Sequence, residues 1–321
     1  MSNYKEIPFE VKHETIRQWT EFKMAVPWGH ISGKWWGPKD IRPILALHGW
    51  QDNAGTFDTL MPLLPTHLGF LAVDLPGHGL SSHLPEGMVY HTVDYVKLVL
   101  MIIKQMKWDK VSILGHSMGG FVGLWFAAMF PDKIDLLITI DSLKPLPPPK
   151  EHFWGFCGGL ISKTMLCDEN SANGQEPPSY TYTECIERLY VGAESIDRSK
   201  CPFILARNLK ESAKYPGKFY FSRDARLKYM NDGLWPHEHY MVLAAHMRIP
   251  YLFIDASDAA PKETPKNFNE LISSFKKNSL FQCEEVNGRH HVHLNEPEKV
   301  SGIISSFLMK HRILLHQQSK L

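Results

Sequence analysis

The chain has 321 residues, 44% of them hydrophobic, with a formal net charge of +1 at pH 7. That length suits one large domain carrying an insertion, and it can bury a full core. A charge near zero with no long Lys or Arg run argues against nucleic acid or a membrane surface as a partner held by bulk electrostatics, and no apolar run approaches the ~20 residues that span a bilayer.

The five cysteines are odd in number and form no CxxC pair. Free thiols in a reducing compartment fit this better than a disulfide framework or a zinc knuckle. The first 25 residues are polar and charged and lack an apolar h-region, so no secretory signal is expected. The last three residues, Ser319-Lys320-Leu321, form a receptor-read peroxisomal address. The expected location is therefore the peroxisome, with the cytoplasm as a second compartment and the import receptor as a partner.

Residues 23–26 and 30–35 read as an antiparallel pair turned at Pro27-Trp28-Gly29. Short apolar runs follow at 44–47, 70–73, 111–114, 136–140 and 251–254, and 282–286 is read as the last strand of the set. Continuous apolar runs of this length are the mark of strands buried on both faces, as in a parallel sheet. Helical spacing separates them. Residues 93–106 carry Val96, Val99, Leu100 and Ile103 on one face; 121–130 is apolar nearly all round and ends at Pro131; 296–308 is amphipathic through Val300, Ile303, Ile304 and Phe307. Strands alternating with helices predict an α/β fold, a mostly parallel sheet flanked by helices.

The rhythm breaks after Asp141, for a stretch of ~100 residues that is too long for an ordinary loop. It opens with Pro145, Pro147, Pro148 and Pro149, and helices are predicted at 183–191 and 197–209, with an extended piece at 218–222. An insertion lying over the strand ends would roof a binding site, because ligands of open α/β sheets bind there. The expected organisation is an N-terminal extension (1–23), the first part of the core (24–144), a cap (145–248), the second part of the core (249–312) and a tail (313–321).

The strongest chemical signal is Gly115-His116-Ser117-Met118-Gly119-Gly120, which follows one predicted strand and precedes the all-apolar helix. This is a G-x-S-x-G elbow in its strand–turn–helix setting. The glycines belong to the chemistry, because a Cβ beside the strained serine would clash with neighbouring strands or the helix. Ser117 is the expected nucleophile. A serine hydroxyl needs a base, and the chain order Ser…Asp…His places it late in the sequence. Of His290, His291 and His293, His290 follows the last strand most directly and is the expected base, while His293 supports the loop or caps the helix. A metal site at these histidines finds no matching Cys, Asp or His cluster at ligand spacing, so neither metal nor cofactor is expected. Leu47-His48-Gly49-Trp50 ends a strand in a turn that offers the Trp50 N–H as one oxyanion donor, and Met118, the residue after the nucleophile, offers the other. Losing one such donor costs about 100- to 1000-fold in rate. The turn Asp74-Leu75-Pro76-Gly77-His78-Gly79 reads as structural, shaping the site floor.

Together the HGW of residues 48–50, the DLPGHGLS of 74–81, the GHSMGG of 115–120 and the H-x-x-H-L-x-E-P-E of 290–298 resemble the α/β-hydrolase superfamily. Val26-Pro27-Trp28-Gly29-His30-Ile31 and His48-Gly49-Trp50-Gln51-Asp52-Asn53-Ala54 narrow the resemblance to the kraken-like serine hydrolase-like proteins, over roughly residues 24–308, and Phe221-Ser222-Arg223-Asp224-Ala225-Arg226-Leu227 extends it weakly into the cap. The resemblance implies hydrolysis of an ester-like bond without a cofactor.

The chain departs from that pattern at the acid. The usual place, after the strand at 251–254, holds Ala259, with Asp258 one residue early. Asp141, at the end of the strand at 136–140, is the alternative position and resembles that of the acid in haloalkane dehalogenases. Asp141 is preferred, Asp258 is the alternative, and a chain with no acid would be a weak or specialised enzyme. The expected function is that of a cap-bearing esterase or thioesterase acting on a small-molecule ester or acyl substrate through an acyl-enzyme. Phe153, Trp154, Phe156, Tyr180, Tyr182 and Trp235 are candidates to line an apolar pocket in the cap. The alternative is a hydrolase fold retained for ligand binding with an impaired acid. A dehalogenase or epoxide hydrolase is argued against by Ser117 itself, since those relatives use an aspartate there.

Overall fold

The computed structural model describes residues 18–145, 150–230, 235–260 and 264–318. The terminal tripeptide 319–321, and with it the peroxisomal reading, lies outside the described residues. The first described element is the hairpin β1 (Trp19–Val26) and β2 (Gly29–Trp36), whose register pairs Val26 with Gly29. β1 therefore starts inside the expected extension. Its outer end is held by Trp19 beside Trp36, by Lys34 over the Trp19 ring, and by Glu21, which binds Arg207.

β3 (Ile44–Leu47), β4 (Phe70–Val73), α1 (Thr92–Met106), β5 (Val111–His116), α2 (Met118–Met129) and β6 (Ile134–Ile140) follow. After the insertion come β9 (Tyr251–Ala256), α7 (Pro265–Phe275), β10 (Phe281–Val286), the short α8 (Val292–Asn295) and α9 (Glu298–Gln318). α9 continues well past residue 312, into the segment expected to be a tail. The sheet order is β1-β2-β4-β3-β5-β6-β9-β10. β1–β2 and β2–β4 pair antiparallel; every other neighbouring pair is parallel.

Side chains alternate across the sheet as the pleat requires. Leu45, Leu47, Leu71, Val73, Ile113, Leu137 and Phe253 join the core under α1 and α2. Ile44, Ala46, Phe70, Ala72, Leu114, Ile138 and Ile254 join the opposite core, with Val300, Ile304 and Phe307 of α9. Both faces are covered, which is why these strands read as unbroken apolar runs. Because β3, β5, β6, β9 and β10 are parallel, the turns that leave their carboxyl ends emerge along one edge.

The insertion contains α3 (Phe153–Ala172), α4 (Tyr182–Ala193), α5 (Cys201–Leu205), β7 (Leu209–Glu211), β8 (Phe219–Phe221) and α6 (His237–His246). α4 starts with a capping box, Thr181 Oγ1 accepting from Glu184 N–H and Glu184 Oε2 accepting from Thr181 N–H. The single helix expected at 197–209 is instead a 3₁₀ turn, Arg198–Lys200, then α5, then β7. Pro202 has no N–H to give an earlier turn and opens a new helix. The extended piece at 218–222 is β8, antiparallel to β7.

The insertion has its own small core of Cys185, Ile196, Cys201, Ile204 and Leu205, joined by Leu294 of α8. Leu227, Met230, Tyr240, Leu243 and Ala244 belong to the main core instead. In packing terms the chain rejoins the core near Leu227, about twenty residues before the expected boundary at 249. Among the described residues no helix is long and apolar enough to cross a membrane.

Candidate functional site

Ser117 occupies the turn between β5 and α2 at φ 51° and ψ −119°, a backbone conformation that L residues rarely adopt. The flanking glycines make that turn feasible. A Cβ on Gly115 would lie 2.3 Å from Gly119 O, and one on Gly119 would lie 2.1 Å from Leu47 O. Backbone hydrogen bonds pin the elbow from both sides: Ser117 N–H to Ile140 O at 3.1 Å and Gly119 N–H to His48 O at 3.1 Å. Met118 opens α2, so its N–H has no intrahelical acceptor.

Asp141 follows β6, also at positive φ (54°). Its N–H donates to Ile254 O at 2.7 Å, and its Oδ1 accepts from Ala256 N–H at 2.8 Å. Oδ2 lies 2.5 Å from His290 Nδ1, and the carboxylate is fully buried. His290 stands in the loop after β10, with its ring about one-third exposed. Asp258 goes elsewhere. It is exposed, accepts from Asn287 Nδ2–H at 2.9 Å and donates its own N–H to Gly288 O. It props the turn before His290 and makes no contact with the imidazole. Of the two carboxylates, Asp141 is the one joined to His290.

The Trp50 turn is braced on several sides. Asp52 N–H donates to Gly49 O, Gln51 N–H donates to His78 Nε2 at 3.1 Å, and Trp50 Nε1–H donates to Leu227 O at 2.6 Å. His48 Nε2 accepts from Leu75 N–H at 2.9 Å, so its proton sits on Nδ1 and goes to Gly49 O. His48 and His78 thus act as neutral struts between the two glycine turns. Burial lowers both imidazoles below their ordinary value, His78 strongly. The 74–79 turn is structural, as its sequence suggested. Asp74 accepts from Ala54 N–H and Leu80 N–H and pairs with Arg207.

Sequence reasoning missed His116. Its Nε2 bonds the backbone O of His290 at 2.9 Å, which fixes the loop that carries His290. The signal available was only its place beside Ser117 in the elbow. His116, His290, His291 and His293 form one cluster, the His116 ring lying 4.7, 4.7 and 4.1 Å from the other three. His293 is fully buried, and its Nε2 is 2.9 Å from Thr56 Oγ1, in agreement with a supporting role. Burial, reinforced by the neighbouring histidines, pushes His116 and His293 well below the ordinary imidazole value. Burial also lowers His291, against the pull of Asp52.

Asp52, His116 and His291 present donor atoms within 4.8 Å of one another, all buried. This is a ligand set that spacing in the chain could not reveal, because Asp52 is remote in sequence from both histidines. His291 is otherwise engaged through Nδ1 with Ser195 Oγ at 2.7 Å.

Ser117, His290, Gly49 and Trp50 line a common cavity of about 390 Å³, roofed by α4, α5 and β8. Of the six cap aromatics expected to line it, Tyr180 does. Trp154 and Phe156 are exposed on α3, whose one buried residue is Thr164; Trp235 stacks on Trp125 at 4.3 Å, and Tyr182 packs on Phe219. Phe221, from β8, supplies the second aromatic face.

Residues 42–163 match the family described as alpha/beta hydrolase fold. A probable serine hydrolase of Drosophila melanogaster is 36% identical over 90% of this chain and 88% of its own length. The chain belongs to the serine hydrolase-like family of α/β-hydrolases. Other members that it resembles are a serine hydrolase-like protein of Danio rerio, 36% identical over 90% of this chain and 88% of that protein, and serine hydrolase-like protein 2 of Homo sapiens, 33% identical over 90% and 94%. Among solved structures, a hypothetical protein from Pseudomonas aeruginosa PAO1 superposes with a TM-score of 0.76 at 27% identity, covering 90% of this chain and 99% of that one. The thioesterase domain from the curacin biosynthetic pathway shares the fold, with a TM-score of 0.72 at 19% identity over 89% and 99%. These relationships make the protein a hydrolase by family.

Proposed function

We propose that the protein is a serine hydrolase of ester or thioester bonds, with Ser117 as nucleophile, His290 as general base and Asp141 as the acid. The observation that carries this reading is the 2.5 Å contact between His290 Nδ1 and the buried Asp141 Oδ2, beside a cavity that Ser117 and His290 line together. A ring that donates its Nδ1 proton to a carboxylate keeps Nε2 as a lone pair, the form a base requires.

In this reading Nε2 takes the Ser117 proton as Oγ attacks the carbonyl carbon. The N–H groups of Trp50 and Met118 hold the oxyanion. The imidazolium, stabilised by Asp141, then protonates the leaving alcohol or thiol, and the acyl group stays on Ser117. Water, deprotonated by His290, attacks the acyl-enzyme, which releases the carboxylic acid and restores the serine. The ligand-binding alternative rests on an impaired acid, and the contact of Asp141 with the imidazole favours the catalytic reading over it.

The test is turnover of a panel of p-nitrophenyl esters and acyl thioesters by wild type and Ser117→Ala. Hydrolysis by wild type that falls by several orders of magnitude in the variant supports the reading. Equal rates in both, or no turnover of any member by folded wild type, refute it.

A further inference from the structure

The insertion contributes three buried or half-buried arginines near the site, and two of them are neutralised. Arg207 pairs with Glu21 and Asp74, and Arg226 pairs with Asp224 and Asp168. Their carboxylate partners hold both guanidinium groups above their ordinary value despite burial. Arg223 differs. Its Nε–H donates to Gln51 Oε1 at 3.0 Å and its guanidinium lies 4.7 Å from the Phe221 ring centre; among the described residues no carboxylate pairs with it. Burial alone lowers it to about 10. A desolvated cation without a counter-charge is costly, and an anion supplied by a ligand offsets that cost with charge-assisted hydrogen bonds.

The surroundings point the same way. The catalytic cavity is lined by Arg188, Arg223 and Lys228 and by a single acid, Asp52, among the described residues. The Arg188 guanidinium lies over Tyr180, 3.7 Å from the ring centre. A second cavity of about 740 Å³ adjoins the first; it carries Glu86, Asp168, Glu176 and Asp224 beside Lys210 and Arg226, and it shares Tyr180, Phe221, Arg223 and Lys228 with the first. Arg223 and Lys228 therefore stand at the junction, between Ser117 and the space available to the rest of a substrate.

We propose that Arg223, with Lys228, forms an anion subsite, and that the substrate is an ester or thioester carrying a carboxylate or phosphate group on the portion that extends from the catalytic cavity toward the second one. This rests on the hydrolase reading above and specifies its substrate class.

Matched pairs test it. The carboxylate arm compares mono-p-nitrophenyl glutarate with its methyl ester; the phosphate arm compares butyryl-coenzyme A with the neutral butyryl-N-acetylcysteamine. The reading is the ratio of kcat/KM for the anionic over the neutral twin. In wild type that ratio exceeds one in at least one arm, and the arm identifies the anion. Arg223→Gln lowers it by about 30-fold, as loss of a buried charged partner does, Arg223→Lys restores part of it, and the wild-type ratio falls as salt is added. A ratio unchanged by Arg223→Gln in both arms overturns the proposal. Binding to Ser117→Ala, with and without Arg223→Gln, measured by calorimetry with monomethyl glutarate and butyryl-coenzyme A, separates the two readings. Arg223-dependent binding without turnover by wild type would overturn the hydrolase reading and keep the subsite. Turnover without Arg223-dependent selectivity or binding would do the reverse.

Discussion

Asp141→Asn is the substitution whose outcome the geometry constrains most closely. Oδ1 of Asp141 accepts from Ala256 N–H, and Oδ2 faces His290 Nδ1. An asparagine in the same pose keeps its oxygen on Ala256 N–H and turns its NH₂ toward the imidazole. Two donors then meet unless the ring moves its proton to Nε2. That tautomer cannot accept the Ser117 proton, and no carboxylate remains to stabilise the imidazolium. The equivalent change in a serine protease costs about 10⁴ in kcat, or about 5.4 kcal/mol of barrier. The same loss is expected here, measured with a p-nitrophenyl ester under saturating conditions. Circular dichroism and thermal melting check that the variant folds. Asp258→Asn, which removes one exposed contact to Asn287, is expected to stay within about threefold of wild type, in line with other exposed sites. A folded Asp141→Asn protein within tenfold of wild type, or a larger loss in Asp258→Asn, would refute the assignment.

His290→Ala is expected to lower kcat by several orders of magnitude, because members of a triad act as a unit; His293→Ala should cost mainly stability, seen in denaturant melts, since it strands Thr56 in the core. Equal damage to kcat from both would move the base to another ring. Stability should fall with acid. His48, His78, His116, His291 and His293 all titrate lower in the folded state than the unfolded value of about 6.5. Their contribution is therefore complete above that pH and is lost below it, at up to about 1.4 kcal/mol per pH unit for each ring. Urea titrations at pH 7.5, 6 and 5 check this, and a stability that stays flat across that window contradicts it. A chain with an N-terminal fluorescent tag is expected to give peroxisomal puncta that disperse when residues 319–321 are deleted; an unchanged distribution removes the targeting reading.

The parts of the site that were legible in the sequence are those fixed by local backbone demands. Gly115 and Gly119 announce the Ser117 elbow because any side chain there would strike Gly119 or Leu47. The inner parallel strands β3, β4, β5, β6 and β9 were legible because both of their faces are buried, which leaves a run rather than an alternation. What could not be read depends on contacts between distant segments. Asp141 and Asp258 both follow strands, and only the meeting of β6, β9 and the His290 loop separates them. α3 was invisible because Gly155, Gly158 and Gly159 weaken its propensity and it buries only Thr164, so no apolar stripe marks it. Asp52 joins His116 and His291, and Arg223, unlike Arg207 and Arg226, has no carboxylate partner among the described residues, for the same reason: partners far apart in the chain are decided by the fold.

The central claim is that Ser117 is an activated nucleophile. Its most direct measurement is labelling with a fluorophosphonate probe, followed by mass spectrometry of the digested protein. Wild type should carry the adduct on Ser117, labelling should slow sharply in His290→Ala and Asp141→Asn, and Ser117→Ala should take up no probe. A wild-type adduct on another residue, or equal labelling of Ser117→Ala, would contradict the account.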